Sequence, residues 1–104
     1  MGLIRRRLTA HARDVEVGLR AIRAYAHSIP AARPLVAPVQ AAGEDLAVAI
    51  RMRRATPADI NEWRAEAATL VRRWSLTDPG STRAYIDAQS AADQRLLRSL
   101  LPPD

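Results

Sequence analysis

The sequence predicts an all-α protein, a four-helix antiparallel bundle with a long first helix, and three observations carry that prediction. Apolar residues recur at spacings of three and four along four stretches, prolines and turn residues fall between those stretches, and nowhere does the chain alternate with the period of a strand. A chain of 104 residues has room for one core, so residues 1–104 form a single helical domain. With 48% hydrophobic and 26% charged residues the composition is that of a folding chain rather than a disordered one.

The first helix is expected over about residues 3–29. Ile4, Leu8, Val15, Leu19, Ile22, Ala26 and Ile29 fall within one arc at 100° per residue, flanked by His11, Ala12, Gly18 and Tyr25. Pro30 and Pro34 end it. About 26 residues at 1.5 Å each give a rod of about 40 Å, longer than its partners, which is expected to project or to pair with a copy of itself.

The second helix is expected over 37–54, with Pro38 in its first turn and Val39, Ala42, Leu46 and Ile50 inside. Glu44 and Asp45 are the only charges between Leu35 and Ile50, which predicts burial on most faces. Arg51, Arg53 and Arg54 at its end complement the helix dipole.

Thr56, Pro57 and Asp59 mark the start of a third helix over 57–75, with Thr56 and Asp59 placed as a capping box. Ile60, Trp63, Ala67, Leu70 and Trp74 supply its inner stripe, which assigns both tryptophans to the core rather than to base stacking. After the turn cluster Thr77 to Ser81, in which Asp78 or Ser81 caps, the last helix is expected over 80–100, with Tyr85, Ala88, Ala92, Leu96 and Leu100 inward.

Several chemistries lack their residues. There is no cysteine, and the two histidines, His11 and His27, project about 160° apart around one helix, so no metal site is expected. The four glycines are scattered, so there is no phosphate loop or dinucleotide fingerprint. Glu62 and Glu66 pair at i,i+4, but exposed helix acids are ordinary. No catalytic residue and no cofactor is assigned. The longest aliphatic run, Leu46 to Ile50, is too short for a membrane span, no secretion signal is legible, and the expected location is cytoplasmic.

Charge is the positive signal. All sixteen cationic side chains are arginine, and residues 1–34 hold seven of them against Asp14 and Glu16, whereas residues 77–104 come to −1. By projection Arg5, Arg6, Arg13, Arg20 and Arg23 gather opposite the apolar stripe, His27 continues the row, and only Glu16 interrupts it. The seven-residue steps Arg6, Arg13, Arg20, His27 place a cation about every 10 Å, a pitch compatible with a phosphate backbone. Arg13 and Arg20 are expected to project away from the core.

The expected function is that of a non-catalytic helical subunit of a nucleoprotein complex. It binds RNA or single-stranded DNA backbone, without reading sequence, through Arg5, Arg6, Arg13, Arg20, Arg23, Arg51, Arg53 and Arg54, beside other protein subunits. The competing reading is a helical adaptor, of phage, plasmid or secretion type, on an acidic partner surface. A third, a peripheral membrane binder, is weakened because the basic helix has no Trp or Phe.

In size, helix content and basicity, with Arg5 to Arg23 on one helix and Arg51 to Arg54 at a helix end, the chain resembles the small subunits of multisubunit CRISPR effector complexes. The resemblance implies copies stacked along a guide-RNA assembly, touching backbone and holding a displaced or target strand in antiviral defence. It rests on no motif, so no residue role is carried over.

Overall fold

The structure, a computed structural model, describes the backbone of residues 2–101 and the side chains of residues 10–101. Among the described residues every regular element is helical: α1 (Gly2–Ser28), a short 3-10 turn (Pro30–Ala32), α2 (Arg33–Arg51), α3 (Pro57–Thr77), α4 (Pro79–Asp87) and α5 (Ala91–Ser99). The all-α prediction holds; the helix count is five rather than four.

α1 is the spine of the molecule. It touches every other helix, α2 lies on one side of the α1–α3 pair, and α4 and α5 lie on the other. The expected stripe of Val15, Leu19 and Ile22 is buried, and so are Val17, Ala21 and Tyr25. The buried arc is therefore wider than predicted, because α5 covers a side that the sequence pattern left to solvent. α1 runs unbroken through Gly18. Ile29, extended at φ −127°, ends it ahead of Pro30.

α2 starts at Arg33, earlier than predicted, and takes Pro38 into its interior. Pro34 sits in the first turn, where its missing N–H is harmless; Pro38 removes only the one bond that would have run back to Pro34. The expectation that most faces of α2 are buried is overturned. Only Val36, Gly43, Leu46 and Ile50 are buried, while Leu35 and Val48 are exposed, because α2 has neighbours on one side alone.

α2 ends in a Schellman turn, with Arg54 N–H bonded to Ala49 O at 2.8 Å and Arg53 N–H to Ile50 O at 3.1 Å. The left-handed residue of that turn, usually glycine, is Arg53 at φ 59°.

α3 matches its prediction: Thr56 and Asp59 form the capping box, and Ile60, Trp63, Ala67, Leu70 and Trp74 are all buried. Asp78 caps α4, accepting from the Ser81 N–H at 3.1 Å.

The single last helix is corrected to two. Ser90 caps a new helix by accepting from Asp93 N–H at 3.3 Å, which breaks the expected rod after Asp87. The buried residues are Thr82, Ile86, Asp93, Leu97 and, as expected, Leu100; Tyr85 and Leu96 are half-buried against the core, and Ala88 and Ala92 are exposed. The signal was present as Ser90-Ala91-Ala92-Asp93, a cap residue followed three positions later by an acid.

The tightest packing lies where α1, α2 and α3 meet. The Trp63 indole N–H donates to Val39 O at 2.9 Å, and its ring lies against Gly18 of α1 and Gly43 of α2. Neither glycine needs an unusual φ; each is small because the indole occupies the space a Cβ would take. On the other side of the core, Tyr25 stacks on Trp74 at 5.9 Å between ring centroids, and Tyr85 tilts against the same indole at 5.7 Å.

Candidate polyanion-binding face

The arginine row of α1 is real in register but not free. Arg13 Nη2 donates to Asp93 Oδ1 at 3.0 Å and Arg20 Nη2 to Asp93 Oδ2 at 3.1 Å. About two helical turns apart, both guanidinium groups converge on a single carboxylate brought in by α5. The Asp93 side chain is only 10% exposed. Hydrogen bonding from Arg13 and the charges of Arg13 and Arg20 hold its carboxyl below the ordinary range despite the opposing effect of burial. The N-terminus of α5, where Asp93 sits in the first turn, also favours its negative charge.

Arg13 and Arg20 do project away from the core, as expected, but as paired rather than free cations. They pin α5 to α1, and Val17, which helical register places between them, is 2% exposed beneath that clamp. Each still spends only part of its donor set: the side chains are 56% and 47% exposed. Arg23 is likewise paired, to Glu44 Oε1 at 3.0 Å, in a half-exposed bridge between α1 and α2. Gln40 donates to the same oxygen at 3.1 Å, and these bonds, Gln40 first, lower the Glu44 pKa.

The side chains of Arg5 and Arg6 lie outside the described residues. Arg51, Arg53 and Arg54 are exposed at the end of α2 and take part in none of the ion pairs among the described residues. The same holds for Arg33, one of the seven arginines of residues 1–34 and not among the predicted site residues.

Arg33 matters because of where it stands. With Arg23, His27 and Gln40 it borders a groove of about 380 Å³ between the end of α1 and the start of α2, floored by Ala26 and Val36. Along α2, Arg33, Gln40, Glu44 and Arg51 recur at spacings of seven, four and seven, so they lie on one line of the helix. Arg33 and Arg51 bound that line about 27 Å apart at 1.5 Å per residue. The outer face of the α1–α2 hairpin thus has cations at both ends of α2, and Arg23 held against Glu44 between them.

Among the described residues no three His or acidic side chains come close enough to hold a metal ion. His11 is half-buried, with Nδ1 lacking a partner among the described residues, and His27 is exposed at the rim of the groove. No described helix is long and apolar enough to cross a membrane. Comparison with family models, curated proteins and solved structures finds no match to this chain.

Proposed function

We propose that this chain is a non-catalytic helical subunit that binds the phosphate backbone of RNA or single-stranded DNA, without reading sequence, along the outer face of α1 and α2. The observation that carries the reading is the line on α2 from Arg33 to Arg51, with Arg23 and His27 beside it and Arg53 and Arg54 beyond it. Guanidinium forks match phosphate oxygens in geometry as well as charge. Arg13 and Arg20 act in this reading as supports that hold α5 to α1, rather than as the principal contacts. A place along a guide-RNA assembly, as in the small subunits of CRISPR effector complexes, is one setting such a face fits.

Arg53 adds support of a different kind. A left-handed residue is most easily glycine, and keeping an arginine there costs about 1 kcal/mol. In this reading the guanidinium group at that corner, beside Arg51 and Arg54, is one of the phosphate contacts.

The test is binding of labelled RNA and single-stranded DNA of unrelated sequences, followed by anisotropy across a salt series. The wild-type chain binds all of them, and each phosphate contact removed lowers the slope of log affinity against log salt by about 1. Arg33→Glu with Arg51→Glu weakens every oligonucleotide alike. Binding that is unchanged in that variant, or absent in the wild type, ends the proposal.

A further inference from the structure

The α2–α3 side of the molecule carries the opposite charge. Asp45 of α2 and Asp59, Glu62 and Glu66 of α3 border a groove of about 340 Å³ whose floor includes Leu46 and Trp63. None of the four carboxylates takes part in an ion pair among the described residues. Asp59 is engaged only in capping Thr56. A trough with an apolar floor and four negative charges on its rims calls for an occupant that is apolar on one side and cationic on the others.

An N-terminal segment of this chain has that character. Residues 3–8 read Leu-Ile-Arg-Arg-Arg-Leu, three consecutive cations flanked by aliphatic residues, with Ile4 and Leu8 one helical repeat apart. They belong to the opening turns of α1. The groove runs from Ala42 to Ala49 on one wall and from Asp59 to Glu66 on the other, about 10 Å along each helix, close to the roughly 9 Å of helix that residues 3–8 span. A chain cannot fill its own groove. α1 is one continuous helix whose packed middle lies against the inner side of α2 and α3, so its first turns cannot fold back over the outer side.

We propose that the acidic α2–α3 groove docks the N-terminal arginine segment of a second copy of this chain. The contact is small and charge-rich, so the association is concentration-dependent and weakens with salt as the Debye length shrinks from about 10 Å at 0.1 M to about 3 Å at 1 M. This goes beyond the polyanion reading and uses a different face, so either can fail without the other.

The test is sedimentation equilibrium of the full chain after nuclease treatment, with the absorbance ratio confirming that no nucleic acid bridges the copies. At low salt the weight-average mass of the wild type rises with concentration above the 11.4 kDa of one chain. A groove variant, Glu62→Arg with Glu66→Arg, stays at one chain mass, as does a segment variant with Arg5→Glu, Arg6→Glu and Arg7→Glu. Mixing the two variants restores association, because each supplies what the other lacks.

Circular dichroism checks that both variants fold. If the segment variant does not, a synthetic peptide of residues 2–12 takes its place, and it dissociates the wild-type assembly. A wild type that stays monomeric overturns the proposal. So does a groove variant that associates like the wild type, a folded pair of variants that ignore each other, or a peptide without effect.

Discussion

Gly43 of α2 faces the indole of Trp63 so closely that a Cβ there would stand 2.5 Å from Cζ2 and 2.7 Å from Cε2. A Cβ on a second glycine, Gly18 of α1, would stand 2.9 Å from the same ring. The ring has nowhere to retreat, since its N–H is fixed to Val39 O and its body is wedged among three helices. That relationship sets the spacing of α1, α2 and α3, and with it the placement of both charged faces.

Gly43→Ala should destabilise the fold by about 1 to 3 kcal/mol through overpacking, even though alanine is the better helix former. Gly18→Ala should cost less, because its nearest ring contacts are longer. Gly80→Ala, with only Asp78 Oδ1 at 3.8 Å, should be neutral or stabilising by up to about 1 kcal/mol. Urea unfolding of the three variants gives the order, and an unaffected Gly43→Ala would mean the indole is not held as described.

Trp63→Ala should lower stability by about 3 to 5 kcal/mol, since it empties the junction and removes a buried hydrogen bond. Chemical denaturation measures it. A variant of unchanged stability but weaker ligand binding would reassign Trp63 to the surface.

Arg53→Gly should raise stability by about 1 kcal/mol, because glycine enters the left-handed region without the Cβ penalty. The same change should weaken polyanion binding. Thermal melts and anisotropy on one protein sample read the two effects in opposite directions.

Acid should loosen the α1–α5 clamp. Arg13 first, with Arg20, lowers the Asp93 pKa in the folded state, so this contribution to stability is fully present above the unfolded value of about 3.9. It is lost as pH falls through the lower folded value. Glu44 and Asp78 are shifted in the same direction, by Gln40 with Arg23 and by Ser81, so they add to the acid sensitivity. Melting temperature against pH should fall below about pH 4, and Asp93→Asn should be less stable at neutral pH with a shallower acid limb. An acid limb identical to that of the wild type would remove Asp93 from this role.

Arg13→Glu with Arg20→Glu should reduce stability, because two carboxylates would then face a nearly buried third. Arg33→Glu, which breaks no ion pair among the described residues, should leave the melting temperature nearly unchanged and weaken polyanion binding. Melts and binding on both variants separate the supporting arginines from the contacting ones.

Local signals determined much of this protein. The period of three and four fixed α1 and α3, Thr56 with Asp59 fixed where α3 begins, and Ile60, Trp63, Leu70 and Trp74 were legible as core because helical spacing alone puts them on one side. The row Arg13, Arg20, Arg23 was legible for the same reason. What the row does was decided by tertiary structure: Asp93 is 73 residues from Arg20 in the chain, and only the packing of α5 across α1 turns two surface cations into a clamp. The groove at Arg33, the acidic trough beside Trp63 and the need for glycine at 18 and 43 were decided in the same way. Each depends on how close two helices come, a distance set by side chains on both, and no periodicity within one helix records it.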